Sequence, residues 1–217
     1  MFDSAMARRV MVDCQVRTAD VTSLDLIDAM MAVPRELFVP PAQVGQAYSD
    51  NDIPVGDGRV MLKPMVLAKL IQAALIGPGD HVLDVGCTTG YASAVLARLA
   101  GSVVGLEQDA SLAQRAKAAL GAAGAGQVTV ATGPLAAGWP AAAPYDFILL
   151  NGGTEILPET LGHQLKPTGR LACIFGRLPI CKAMIYRLVE GRLAGRPIFD
   201  AAAPVLPGFA APAEFVF

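Results

Sequence analysis

The apolar positions of the first third of the chain recur at helical spacing. Met6, Val10, Met11 and Val12 stand among Arg8, Arg9 and Asp13, which predicts a helix over residues 4–16. Thr22 and Ser23 are good N-cap types, and Leu24, Ile27, Met30 and Met31 follow on one face until Pro34 stops the run. Residues 35–58 hold Pro40, Pro41, Pro54 and several Gly and Asp, and read as irregular. Lys63-Pro64 then opens a third helix through Met65, Leu67, Leu70, Ile71 and Ala74, and Gly77-Pro78-Gly79-Asp80 is a turn.

Beyond that turn, strand and helix patterns alternate. Strands are expected at 82–85, 103–106, 128–131, 147–150 and 171–175, with helices at 92–100, 111–120 and about 158–165. Such an order builds a parallel sheet covered by helices on both faces. Residues 183–189 and 193–199 flank Glu190-Gly191-Arg192 and read as an antiparallel hairpin at one sheet edge. The tail from Ala201, with Pro204, Pro207 and Pro212, lacks periodicity. The expected class is α/β: a Rossmann-like, mostly parallel sheet with an antiparallel C-terminal edge hairpin and an N-terminal helical cap. The expected organisation is a single domain over 1–217, with cap and substrate segment at 1–63, core at 64–200 and irregular tail at 201–217.

Composition narrows the function. The 217 residues are 53% hydrophobic, yet no run approaches the ~18 apolar residues of a membrane span. The N-terminus lacks the basic and apolar regions of a signal peptide. A net charge of −2 argues against a nucleic-acid partner, which needs a basic surface. Four cysteines without a CxxC pair, and two histidines, offer no clustered metal site. A cytoplasmic protein with reduced thiols is the expectation.

The chemistry concentrates in Val82-Leu83-Asp84-Val85-Gly86-Cys87-Thr88-Thr89-Gly90-Tyr91, where a strand runs through a glycine turn into a helix. Glycine permits the tight turn and close approach of backbone to a ligand, and open parallel sheets bind ligands at the carboxyl ends of their strands. Glu107 ends the next strand at the spacing of an acid that holds ribose hydroxyls. A dinucleotide fingerprint would place glycines where Thr88 and Tyr91 stand. Asp84, inside the first strand, suits a cationic ligand instead. The expected cofactor is S-adenosylmethionine, with S-adenosylhomocysteine as its product. The expected contacts are Asp84, Gly86, Cys87, Thr88, Gly90, Tyr91, Glu107 and Gly133. The bland alternative is a glycine turn that only packs helix on strand.

Three stretches resemble the protein-L-isoaspartate O-methyltransferases. They are Val33-Pro34-Arg35-Glu36-Leu37-Phe38-Val39-Pro40, the segment 47–56 beginning Ala47-Tyr48-Ser49-Asp50, and the loop and helix of 83–97. The resemblance implies an enzyme that methyl-esterifies the abnormal carboxyl of isoaspartyl residues by in-line displacement, the first step in their repair. Its partner would be a protein or peptide substrate, and its state a monomer or homodimer. The chain departs from the family at functional positions. The family's GQTISQPY segment reads Gly58-Arg59-Val60-Met61-Leu62-Lys63-Pro64-Met65, so two hydroxyls become apolar. The middle glycine of the loop is Thr88, and the Asp of the GDG segment is Pro134. TAAP becomes Asn151-Gly152-Gly153-Thr154. Arg59, Lys63 and Asn151 are the candidate catalytic residues. The two basic groups bracket the substrate segment and suit an anionic acceptor, and Asn151 sits at a strand end. Arg59 and Lys63 read equally as a solvated loop face, and Asn151 with two glycines as a turn. Two other readings stay open beside isoaspartyl repair: a methyltransferase with a different, small anionic acceptor, and a cofactor-binding or interaction module.

Overall fold

A computed structural model describes residues 3–212. Helix α1 (Ser4–Met11) starts where the Asp3 side chain accepts from the Met6 N–H at 3.0 Å. The winding then widens to a π turn over Val12–Val16 and tightens to a 3₁₀ turn over Arg17–Ala19, so the run expected at 4–16 is helical with a change of pitch. Helix α2 (Leu24–Ala32) is capped by Ser23.

The segment expected to be irregular contains a small hairpin. Strands β1 (Ile53–Gly56) and β2 (Arg59–Met61) pair antiparallel, with Ile53, Val55 and Met61 facing inward. Its turn passes through Gly56, Asp57 and Gly58, all at positive φ. Helix α3 (Pro64–Ala74) follows, with Pro64 in its first turn and Leu75 in the left-handed conformation at its end.

The Rossmann-like core then runs β3 (His81–Val85), α4 (Tyr91–Leu96), β4 (Ser102–Glu107), α5 (Ala110–Ala122), β5 (Thr129–Thr132), β6 (Tyr145–Thr154), α6 (Glu159–Gly162), β7 (Leu165–Arg177), β8 (Ile180–Val189) and β9 (Arg192–Asp200). The sheet order is β5-β4-β3-β6-β7-β8-β9. Pairs from β5 to β7 are parallel, and β7-β8 and β8-β9 are antiparallel, as the edge hairpin required. Two elements are shorter than expected: α4 ends at Leu96, and α6 is a single turn. Strand β6 is longer, because Asn151-Gly152-Gly153 continues it rather than turning.

Successive residues of the central strands enter opposite layers. Phe147 and Leu149 pack with Val82 beneath the N-terminal helices. Ile148 and Leu150 pack with Leu83, Val85 and Leu171 on the other face. Burial on both faces explains the continuous apolar runs of these strands. Among the described residues, no helix is long and apolar enough to cross a membrane. The tail is irregular except at Val205, which bridges to Gly153 at the end of β6.

Candidate functional site

The carboxyl ends of β3, β4 and β6 converge on the loop 86–90. Gly86 and Gly90 take φ of 79° and 95°, and Thr88 takes 52°, a left-handed conformation that a β-branched residue enters at a cost. The Gly86 and Cys87 N–H groups donate to the Leu106 carbonyl at 2.8 and 3.1 Å, which ties the loop to β4.

Glu107 is fully buried at the end of β4. Its Oε2 accepts from the Thr88 N–H at 2.9 Å, and its Oε1 from the Gln108 and Asp109 N–H groups at 2.8 and 3.2 Å. The same Oε1 receives Arg59 Nη1 at 2.8 Å. Arg59 was expected on the acceptor side; its guanidinium instead lies buried over the cofactor loop.

Asp84 is also buried. Its Oδ2 accepts from Ser93 Oγ at 2.6 Å and its Oδ1 from Asn151 Nδ2 at 3.2 Å. Burial pushes its pKa up to about 6, against the pull of these two donors. Asn151 is therefore a fixed strand residue rather than part of a turn. Burial raises the Cys87 thiol well above its ordinary range, so the thiolate that reactivity requires is suppressed. Gly133 donates its N–H to the Glu107 carbonyl at 3.1 Å and lies beside the Trp139 ring. Lys63 gives its backbone N–H to Asp52 Oδ1 at 2.8 Å at the start of α3.

Three further groups were not singled out in the sequence. Arg35 is completely buried: its Nε donates to the Ala47 carbonyl at 2.8 Å and its Nη2 to the Leu62 carbonyl at 2.7 Å. Its guanidinium stacks 4.5 Å from the centroid of Tyr91. Ser93 anchors Asp84 from α4. Leu206, in the tail, covers Gly152 and Gly86: a Cβ at Gly152 would stand 2.7 Å from its Cδ2, and one at Gly86 3.1 Å from its Cδ1.

The glycine loop and the buried acids suit an adenosyl cofactor, and two of the chain's own side chains stand against them. Arg59 holds Glu107, and with Leu206 it covers Gly86. His81 bonds Ser102 and the Ala142 carbonyl and stacks on Tyr145, and His163 is exposed at the end of α6.

A strand–glycine turn–helix unit, an acid ending the next strand, and a parallel sheet edged by an antiparallel pair define a Rossmann-like methyltransferase. The sequence profile of the protein-L-isoaspartate(D-aspartate) O-methyltransferase family matches residues 7–183. A protein-L-isoaspartate O-methyltransferase of Methylorubrum extorquens (strain PA1) is 44% identical over 174 residues, 80% of this chain and 76% of that one. A solved protein-L-isoaspartate O-methyltransferase superposes with a TM-score of 0.82 at 23% identity, over 93% of this chain and 66% of that one. A Plasmodium falciparum protein assigned to the same activity and crystallised with S-adenosyl-L-homocysteine gives 0.80 at 17% identity, over 92% and 97%. The chain belongs to the protein-L-isoaspartate(D-aspartate) O-methyltransferase family.

Proposed function

We propose that the protein is an S-adenosylmethionine-dependent protein-L-isoaspartate O-methyltransferase, which methyl-esterifies the abnormal carboxyl of isoaspartyl residues in protein or peptide substrates. The observation that carries this reading is the buried Arg35. It lies in the first family stretch, bonds Ala47 of the second and Leu62 of the substrate segment, and stacks on Tyr91 of the third. One guanidinium thus ties the two stretches that set this family apart to the substrate segment and to the helix that follows the glycine loop.

The acceptor makes modest demands on the chain. A carboxyl of this type has a pKa of about 4 and is ionised at neutral pH, so no strong general base is required. The protein has to orient the anion and exclude water. Lys63 is the cation we assign to the acceptor side, and Asn151, held by Asp84 within β6, the amide that borders the site. Asp84, Gly86, Cys87, Thr88, Gly90, Tyr91, Glu107 and Gly133 are the assigned cofactor-side residues. A cytoplasmic setting accords with the free thiols of Cys14, Cys87, Cys173 and Cys181.

One observation favours a second reading, a methyltransferase with another anionic acceptor. Leu62 is buried where the family carries a serine, and its carbonyl is already taken by Arg35. Labelled methyl transfer from S-adenosylmethionine to an isoaspartyl peptide, and none to its aspartyl twin, is expected. Binding of S-adenosylhomocysteine without transfer to either peptide would refute isoaspartyl repair and leave the second reading.

A further inference from the structure

We propose that Arg59 and Leu206 form an internal plug in the cofactor site, so that S-adenosylmethionine enters only when both side chains withdraw. The proposal rests on the cofactor assignment made above and concerns the regulation of that same site.

Glycines at the ends of parallel strands let a ligand approach the backbone closely. Here the chain itself makes that approach. The position of a Cβ at Gly86 lies 2.8 Å from Arg59 Nη2 and 3.1 Å from Leu206 Cδ1, and at Gly152 it lies 2.7 Å from Leu206 Cδ2. Leu206 therefore bridges the ends of β3 and β6, the neighbouring central strands. Arg59 supplies the electrostatic half of the plug. It satisfies Glu107, the acid assigned to the ribose, and a ribose hydroxyl would compete with the guanidinium for that carboxylate.

The plug leaves part of the guanidinium unsatisfied. Arg59 Nε and Nη2 are buried and have no hydrogen-bond partner among the described residues. A buried donor left unpaired loses its bonds to water without replacement. Glu107, in contrast, keeps the Thr88, Gln108 and Asp109 N–H groups when Arg59 leaves, so the acid remains solvated by backbone. Opening thus frees two unpaired arginine donors, at the expense of the ion pair to Glu107, which the incoming ligand's hydroxyls would have to replace.

Both halves sit on separable arms. Arg59 begins the three-residue strand β2, next to the exposed turn at Gly56, Asp57 and Gly58. Leu206 is carried by a strap held to β6 through Gly153 N–H to the Pro204 carbonyl at 2.8 Å, Leu206 N–H to the Gly153 carbonyl at 2.9 Å and Glu155 N–H to the Phe209 carbonyl at 2.9 Å. Neither arm belongs to the seven-stranded sheet that carries Glu107 and Asp84, so each can move while the loop keeps its shape.

Calorimetry with S-adenosylhomocysteine on the full chain tests the plug, using wild type, Arg59→Gln and Leu206→Ala. Glutamine is the residue the family segment carries at the position of Arg59. Each variant is expected to bind at least about tenfold more tightly than wild type. Hydrogen exchange of wild type should also rise in residues 203–209 when the ligand is added. Wild-type binding as tight as that of both variants, with no change in exchange, overturns the plug and leaves the cofactor assignment standing. No binding by any of the three proteins at millimolar ligand overturns the cofactor assignment and the plug with it. Binding by either variant where wild type shows none upholds both. The second variant keeps the test decisive if the first is poorly folded.

Discussion

Replacing Arg35 by alanine removes a side chain that touches all the stretches described above. Two carbonyls, on Ala47 and Leu62, lose their donors inside a region with almost no solvent access. Each buried acceptor left unpaired costs about 1–3 kcal/mol. A residual cavity of roughly 80 Å³ adds about 2 kcal/mol at ~24 cal/mol per Å³. The lost stack on Tyr91 adds about 1 kcal/mol. Against these stands the burial of a guanidinium with no carboxylate bonded to it, a desolvation that lowers the pKa of Arg35 and offsets part of the gain. The net expectation is a loss of about 3–5 kcal/mol, a large share of the ~5–15 kcal/mol typical of a folded protein. Urea unfolding followed by circular dichroism reads it directly, with the slope checked for constancy. Arg35→Lys separates the charge from the fork: a lysine reaches one carbonyl but not both, so about half of the loss is expected. A loss below ~1.5 kcal/mol in the alanine variant would refute the clamp. So would a lysine variant as stable as wild type.

Two further expectations follow from single residues. Asp84 has its folded pKa raised from 3.8 to about 6, so the folded state holds its proton longer than the unfolded chain does. Its contribution to stability is therefore undiminished below about pH 3.8 and falls as pH rises to about 6, by roughly 3 kcal/mol over that window. In Asp84→Asn this downward slope should vanish; a stability difference between the two proteins that is the same at pH 4 and pH 7 would count against it. Leu75 is exposed and left-handed at the end of α3, with φ of 53°, a position that glycine occupies without strain. Leu75→Gly should stabilise the protein by about 1 kcal/mol, seen as a higher midpoint in thermal unfolding, and an unchanged or lower midpoint would contradict the strain argument.

The core was legible because its signals are local. The apolar runs of β3, β4 and β6 and the glycine turn between β3 and α4 announce themselves within a few residues, and the edge hairpin is marked by Glu190-Gly191 between two apolar alternations. The hairpin β1–β2 escaped because strands of four and three residues fall below the length at which alternation is distinct from chance, although Asp57-Gly58 is a turn signal. Gly152 and Gly153 read equally as a turn; their place in β6 is decided by what lies against them, Leu206 and the Ala203 carbonyl, some fifty residues away in sequence. Arg35 shows the same limit. An arginine beside prolines reads as an exposed loop residue, since arginine is seldom buried. Only the tertiary fold brings Ala47, Leu62 and Tyr91 around it. Arg59 was placed by its segment near an acceptor, and the fold turned it to the nearest buried acid.

The two borders of the large sheet bear on how this chain behaves in concentrated solution. With a mean hydropathy of +0.47 it is rich in the residues that drive strand-to-strand association. A bare strand edge would template that association, since its unpaired N–H and C=O groups accept any passing extended chain. Here one border, β5, offers only four residues, and the other, β9, carries Arg192, Arg196 and Asp200, with Pro197 contributing no N–H at all. Molecules that meet edge to edge therefore find a short strand or charged, interrupted backbone. An oily chain thus presents little open backbone through which its sheet could extend into a neighbour's.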